Sequence, residues 1–348
     1  MPIFDGHNDT LLDLYSPDRN PDRSFLDHSE HGHLDLPRAR QAGFAGGFFA
    51  AFVPNQEDLS YEFEETADGY AIPPAPSIDH EYARDYTGAL LDVLDDIAAE
   101  AGSAVRIVDS VPAIRTCLDE GALAAVPHLE GAEAVAPDLS NLDALLDRGV
   151  RSIGLVWSRE NDFGHGVPFR LPATPDIGPG LTEAGRELVA ACNDRNVIID
   201  LAHLNAAGFW DVAQLSSDPL VVSHTGVHAL CPCSRNLTDE QLDAVAASDG
   251  VVGITFGTHT LGASPERSKP VTIETIVDHI AYVANRLGVD HVAIGSDFDG
   301  ATIPDDVGDV TRLPAIIQTL RDRAFTDREI EKIAHENWLR VLEFTWSG

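Results

Sequence analysis

Short runs of apolar, often β-branched residues recur along the chain. Each is followed by polar residues and then by a stretch with helical periodicity, the alternation of a βα repeat. The runs lie around residues 2–6, 46–53, 124–130, 151–157, 197–203, 219–224, 251–256 and 291–297. Several, such as Val197-Ile198-Ile199-Asp200-Leu201, are apolar on both faces, as parallel strands covered by helices must be, whereas a one-sided sheet would alternate. The helices between them are legible too. One begins near Asp79 and carries Tyr86, Leu90, Val93, Leu94 and Ile97 on one face, and Thr238 with Gln241 and Thr326 with Glu329 have capping-box spacing. These units predict an α/β fold, a (β/α)8 TIM barrel formed as a single domain over residues 1–348. The connection from Pro54 to Leu123, inserted after the second strand, is far longer than the ~2–6 residues of an ordinary βα loop. Its first part, with Tyr61, Phe63, Tyr70, Pro73, Pro74 and Pro76, reads as a lid or an oligomer contact, and a second loop over 164–180 lies at the same catalytic end.

Composition sharpens the picture of the surface. At 44% hydrophobic and 23% charged the chain is a folded protein, but 57 Asp and Glu against 23 Lys and Arg give a net charge of −34. Lys269 and Lys332 are the only lysines. Such a surface repels nucleic acid and anionic membranes, which excludes both as partners. It also holds water and cations, so the expectation is a salt-rich cytoplasm. No window approaches the roughly 20 consecutive apolar residues of a membrane helix, and Met1-Pro2-Ile3-Phe4-Asp5 has neither the basic nor the apolar region of a signal peptide. A cytoplasmic location without a lipid anchor is expected. Cys117, Cys192, Cys231 and Cys233 are too few and too scattered for a disulfide framework; they read as reduced thiols, and Cys231-Pro232-Cys233 as a loop.

The candidate chemistry sits where the runs end. His7-Asn8-Asp9 closes the first, and residues i and i+2 of an extended segment project to one side, so imidazole and carboxylate converge. Glu130 ends the third run, His203 the fifth, His224 the sixth and Asp297 the eighth. All six would ring the C-terminal mouth, where barrel enzymes do their chemistry. Packing does not explain three histidines and three carboxylates there, because charges buried without partners are costly, and a metal is the natural partner. One tetrahedral catalytic zinc takes three protein ligands and a water, so six groups suit two ions that share a carboxylate. Such a pair activates a bridging water and polarises a carbonyl, which points to hydrolysis of an amide, ester or phosphoester.

Asp5-Gly6-His7-Asn8-Asp9, His128-Leu129-Glu130-Gly131, Asp200-Leu201-Ala202-His203, Ser223-His224-Thr225, Ser234-Arg235-Asn236, Gly295-Ser296-Asp297-Phe298-Asp299-Gly300 and Glu336-Asn337-Trp338-Leu339-Arg340-Val341 follow one another in the chain. With these motifs it resembles, nearly end to end, the membrane dipeptidase (renal dipeptidase) family of metal-dependent hydrolase barrels. The resemblance implies a dinuclear zinc dipeptidase, with His7, Asp9 and Asp297 on one zinc, His203 and His224 on the other, and Glu130 bridging them. Carboxylate-rich ligation also tolerates other divalent metals. It further implies that a metal-bridging hydroxide attacks the peptide carbonyl and that Asp297, catalytic together with Glu130, takes and returns the proton. Arg235 would pair with the carboxylate of a small dipeptide, for which a guanidinium fork is well shaped. A homodimer is expected.

One position departs from the family pattern. Members usually carry a substrate-facing histidine shortly after the fourth strand, where Ile153-Gly154-Leu155-Val156-Trp157-Ser158 has Trp157. The indole N–H of Trp157 or the nearby His165 would then serve as donor to the substrate. This substitution motivates a second reading, a hydrolase of another small amide or ester such as an N-acyl amino acid. A metal-binding relative without catalysis is a third, weakened because every inferred ligand is present. His28, His31 and His33 read as a solvated segment, Asp299 as a partner to a ligand, and His259 as either pocket lining or loop.

Overall fold

A computed structural model describes residues 1–16, 18–20, 22–56, 64–66, 69–262 and 270–347; Tyr61, Phe63 and Lys269 lie outside the described residues. Eight parallel strands form a nearly closed barrel: β1 (Ile3–Asn8), β2 (Phe44–Phe52), β3 (Leu123–Glu130), β4 (Ser152–Gly154), β5 (Ile198–Asp200), β6 (Val221–Thr225), β7 (Val251–Ile254) and β8 (Val292–Ile294). Each overlaps one of the eight apolar runs; helices on the outside bury the outer face of the sheet, and side chains such as Phe4, Phe48 and Ile198 fill the inside. β4 and β5 are shorter than their runs, because the chain leaves the sheet after Gly154 and Asp200. Trp157 and His203 therefore stand on loops above the strands.

The barrel closes between β8 and β1 through residues at the mouth. The Asp297 amide donates to the carbonyl of His7 (3.0 Å) and that of Asp9 to the carbonyl of Phe298 (2.8 Å). Below them the Asp5 carboxylate accepts from the amide and the hydroxyl of Ser296, each at 2.7 Å. Candidate ligands are thus held by the closure itself. At the base, Trp338 from the helix Asn337–Trp346 fills the barrel among Phe4, Phe48, Val126 and Ile198, and its indole N–H donates to the carbonyl of Ile294 (2.9 Å). A Cβ at Gly6 would lie 2.4 Å from the Trp338 ring, so the glycine between Asp5 and His7 makes room for that indole.

The expected helix starts are present. Asp79 caps the helix His80–Ala101 by accepting from the amide of Tyr82 (3.1 Å), and Thr238 with Gln241 and Thr326 with Glu329 both close capping boxes. Within the insertion after β2, short antiparallel strands Glu64–Thr66 and Gly69–Ala71 join Arg170–Leu171 from the loop after β4. This small sheet is tied over the mouth: the Tyr70 hydroxyl donates to the carbonyl of His259 (2.6 Å) and the Ile72 amide to that of Phe169 (2.8 Å). Among the described residues no helix is long and apolar enough to cross a membrane.

Candidate metal centre

All six strand-end groups converge at the mouth, each nearly or fully buried apart from the more accessible Asp297. Glu130 stands in the middle. Its Oε1 is 2.9 Å from His203 Nε2 and 3.7 Å from His224 Nε2, while its Oε2 is 3.6 Å from His7 Nε2. His7 Nε2 is also 3.4 Å from Asp9 Oδ2. Two ligand-like groups result, His7 with Asp9 and Asp297, and His7 with Glu130 and His224, and His203 adjoins the second. His203 and Asp297 adopt left-handed backbone, φ 67° and 62°, a costly choice for residues other than glycine that points to a functional demand.

Hydrogen bonding argues that cations belong here. Both ring nitrogens of His7 and Oδ1 of Asp9 are buried without a hydrogen-bond partner, which is expensive unless something else binds them. His203 and His224 present Nε2 atoms to each other at 3.0 Å. Behind them, His203 Nδ1 meets the Ser158 hydroxyl (2.7 Å) and His224 Nδ1 meets that of Ser223 (2.9 Å), which itself donates to Asp200 (2.5 Å). With Nδ1–H donated to serine, two lone pairs converge, an arrangement a metal ion would relieve.

The protein's own charges tell the same story. Burial, reinforced for both by the charge of Asp9, pushes Glu130 up to about 7 and Asp297 up to about 8. Burial also pulls His203 and His224 well below the usual imidazole range, with Arg235 adding to the effect at His203 and His7 at His224. Burial opposes protonation of His7 as well, but Glu130 and Asp9 outweigh it and hold the imidazolium. A divalent ion would take over the role of these shared protons.

Beside the centre lies a cavity of about 230 Å³. Arg235 lines it, 5% exposed, with its Nε unpartnered and its Nη2 donating to the carbonyl of His224 (3.4 Å). Phe52, Ile72, Trp157 and Phe169 form an apolar wall. Trp157 packs against Phe52, ring centroids 5.0 Å apart, and the Arg159 guanidinium lies 5.0 Å from its centroid. His165 is not among the lining residues. Its Nδ1 is 3.7 Å from Glu160, so of the two donors expected in place of the family histidine only Trp157 faces the cavity. His259 also lines it. Asp299 turns away, accepting from Thr10 (2.8 Å) beside Asp9, and Cys231 and Cys233 pack under Tyr70. Of the serines behind the ligands, only Ser223 had a sequence signal, its place next to His224.

Three comparisons bear on this geometry. The profile of the family described as membrane dipeptidase (peptidase family M19) matches residues 1–345. An uncharacterised Klebsiella pneumoniae protein from the pqqA 5′ region is 44% identical over 74% of this chain and 94% of its own length, and the Aspergillus oryzae dipeptidase aclJ is 28% identical over 98% and 78%. The crystal structure of a Rhodobacter sphaeroides metallopeptidase, liganded with a phosphinate mimic of L-Ala-D-Ala, superposes with a TM-score of 0.94 at 44% identity over 99% of each chain. Dipeptidase AC, a family M19 metallopeptidase, gives 0.93 at 43% over 100% and 99%.

Proposed function

Because this chain belongs to the membrane dipeptidase family, peptidase family M19, and is a metal-dependent hydrolase, we propose that it cleaves the peptide bond of small dipeptides at a centre of two zinc ions, as one catalytic domain. The observation that carries the reading is the division of Glu130, one oxygen toward His7 and the other toward His203 and His224. In this reading His7, Asp9 and Asp297 hold one ion, His203 and His224 the other, and Glu130 both. When bound, the ions supply an activated water and a Lewis acid for the carbonyl oxygen.

The chain's own groups do the rest. Arg235, buried and without a carboxylate partner among the described residues, orients the substrate through its terminal carboxylate. Asp297, at the cavity beside Glu130, would accept the water proton at a carboxylate oxygen and return it to the leaving amine. The wall of Phe52, Trp157 and Phe169 excludes water from the reacting bond.

The test is metal content of the purified protein together with turnover of L,L and L,D dipeptides, before and after chelation and zinc re-addition. About two metals per chain with chelator-sensitive hydrolysis support the reading; a folded protein that takes up no metal overturns it. Trp157 in place of a histidine favours one alternative, another small amide or ester as substrate. Arg235→Ala separates dipeptides from an amide or ester without a carboxylate, abolishing turnover of the first and sparing the second, while direct assay of an N-acyl amino acid on the wild type tests the carboxylate-bearing alternative. We further propose a homodimer in a salt-rich cytoplasm. Four free, buried cysteines suit a reducing compartment, and sedimentation in molar KCl tests the dimer.

A further inference from the structure

Two guanidinium groups line the cavity, Arg235 and Arg19. Elsewhere most of the described arginines are set against carboxylates, the exceptions being Arg40, Arg170, Arg312 and Arg340, none of which lines the cavity. Arg148 lies between Asp92 (2.8 Å) and Asp95 (2.7 Å), Arg323 between Glu274 (2.8 Å) and Asp278 (2.7 Å), and Arg23 sits on Asp13 (2.9 Å). Arg19 has no carboxylate partner among the described residues. Its Nη1 donates to the backbone carbonyl of Asp299 (2.6 Å), and the side chain stands exposed at the cavity mouth. In a molecule of net charge −34, an arginine that shares a cavity with Asp9, Glu130 and Asp297 and binds none of them is a cation left for a ligand.

Its position says which part of the ligand. Arg235 follows β6 and is bonded to His224, whereas Arg19 follows β1 and is bonded to the loop after β8, on the side of His7, Asp9 and Asp297. A dipeptide whose carboxylate sits at Arg235 and whose scissile bond lies over Glu130 extends its amino-terminal residue toward Arg19. We propose that Arg19 is a specificity-determining residue that binds an acidic side chain on the amino-terminal residue, so that preferred substrates are dipeptides beginning with Glu or Asp. A substrate with a second carboxylate is otherwise disfavoured by the charge of this protein, and a charge-assisted hydrogen bond at the mouth offsets that locally. The proposal rests on the dipeptidase reading above.

The experiment compares kcat/KM for Glu-Ala, Gln-Ala, Ala-Glu and Ala-Gln with the zinc-loaded protein, its Arg19→Gln variant and its Arg19→Lys variant. The expected wild-type preference for Glu-Ala over Gln-Ala is about tenfold, expressed mainly in KM. It should fall to near unity in Arg19→Gln and return in part in Arg19→Lys, while the ratio of Ala-Glu to Ala-Gln stays the same in all three. Because each reading is a ratio, any general loss from freeing the Asp299 loop cancels. A wild-type ratio near unity, a ratio that Arg19→Gln leaves unchanged, or an Arg19-dependent preference for Ala-Glu would each overturn the proposal. Those outcomes leave the dipeptidase reading standing, whereas cleavage of none of the four peptides, each tried as its L,L and L,D form, overturns both.

Discussion

The mouth and the base of the barrel are made by the same eight strands under opposite rules. At the base, Phe4, Phe48 and Trp338 are fully buried, and the one polar atom of the indole has its acceptor. At the mouth, buried carboxylates and imidazoles crowd together, and His7 and Asp9 keep unpartnered atoms. The base therefore carries the stability that the mouth gives up, and the mouth becomes comfortable only with cations. Glu130→Gln should break this contrast most severely. Turnover should fall by at least about 10³-fold, beyond the 10–100-fold typical of losing an outer-shell partner, and bound metal should drop below two per chain. Chelation should lower the wild-type melting temperature, since a metal at about 1,000 times its Kd adds about 4 kcal/mol of stability. An unchanged melt would mean that the mouth does not need the ions.

Trp338→Ala tests the other end. Emptying the barrel base should cost about 3–5 kcal/mol in a denaturant melt, while the folded fraction keeps its full metal content. Loss of metal without loss of stability would show that the two ends are not separable in this way.

Acid strains the same division at a histidine of the supporting framework. His279 Nδ1 accepts from the Val227 amide (2.9 Å), and burial pulls its pKa down to about 4 from an unfolded value near 6.5. The unfolded chain thus binds a proton that the folded one refuses. The contribution is complete above pH 6.5 and disappears as pH falls toward 4, up to about 3 kcal/mol. His279→Gln should flatten the stability–pH curve by about one proton in that window; an unaltered slope would remove His279 from the account.

Within the mouth the two halves differ as well. His203 and His224 each have a serine on Nδ1, whereas the ring nitrogens of His7 have no hydrogen-bond partner. Ser158→Ala or Ser223→Ala should weaken one of the two ions by about 10–100-fold and leave the other, as competition with a chelating dye would read. Equal weakening of both would erase the proposed assignment.

Much of this was legible in the chain because of where charge falls. A histidine or carboxylate at the end of a run apolar on both faces has nowhere to go but the mouth, and all six such residues arrive there. The strand ends were less legible. Left-handed backbone at His203 and Asp297 is imposed by tertiary contacts and leaves no local signal in residues other than glycine. Ser158 reaches His203 across 45 residues, a distance no spacing argument spans. His165, flanked by glycines, reads by default as an exposed loop residue that could also reach the substrate, and only the fold turns it toward Glu160. Arg19 sits in a loop without periodicity, so nothing in its neighbours marked it.

The smallest effect concerns the surface, where mouth and base no longer differ. Arg148 bridges two aspartates that otherwise repel, yet it is half-buried and both aspartates are exposed, so the geometry is worth far less than its distances suggest. Arg148→Ala should cost about 0.5 kcal/mol or less in dilute buffer. The loss should vanish in molar KCl, where the ~3 Å screening length makes the unbridged aspartates indifferent to each other. The wild-type protein should meanwhile melt higher in KCl than in dilute buffer, because screening relieves a surface with 57 acidic residues against 23 basic ones. If salt leaves the wild-type melt unchanged, the acid excess is ordinary solubility and the salt-rich cytoplasm is withdrawn. If salt stabilises the wild type and erases the Arg148 difference, the few arginines act as local relief from a repulsion that the solvent normally carries.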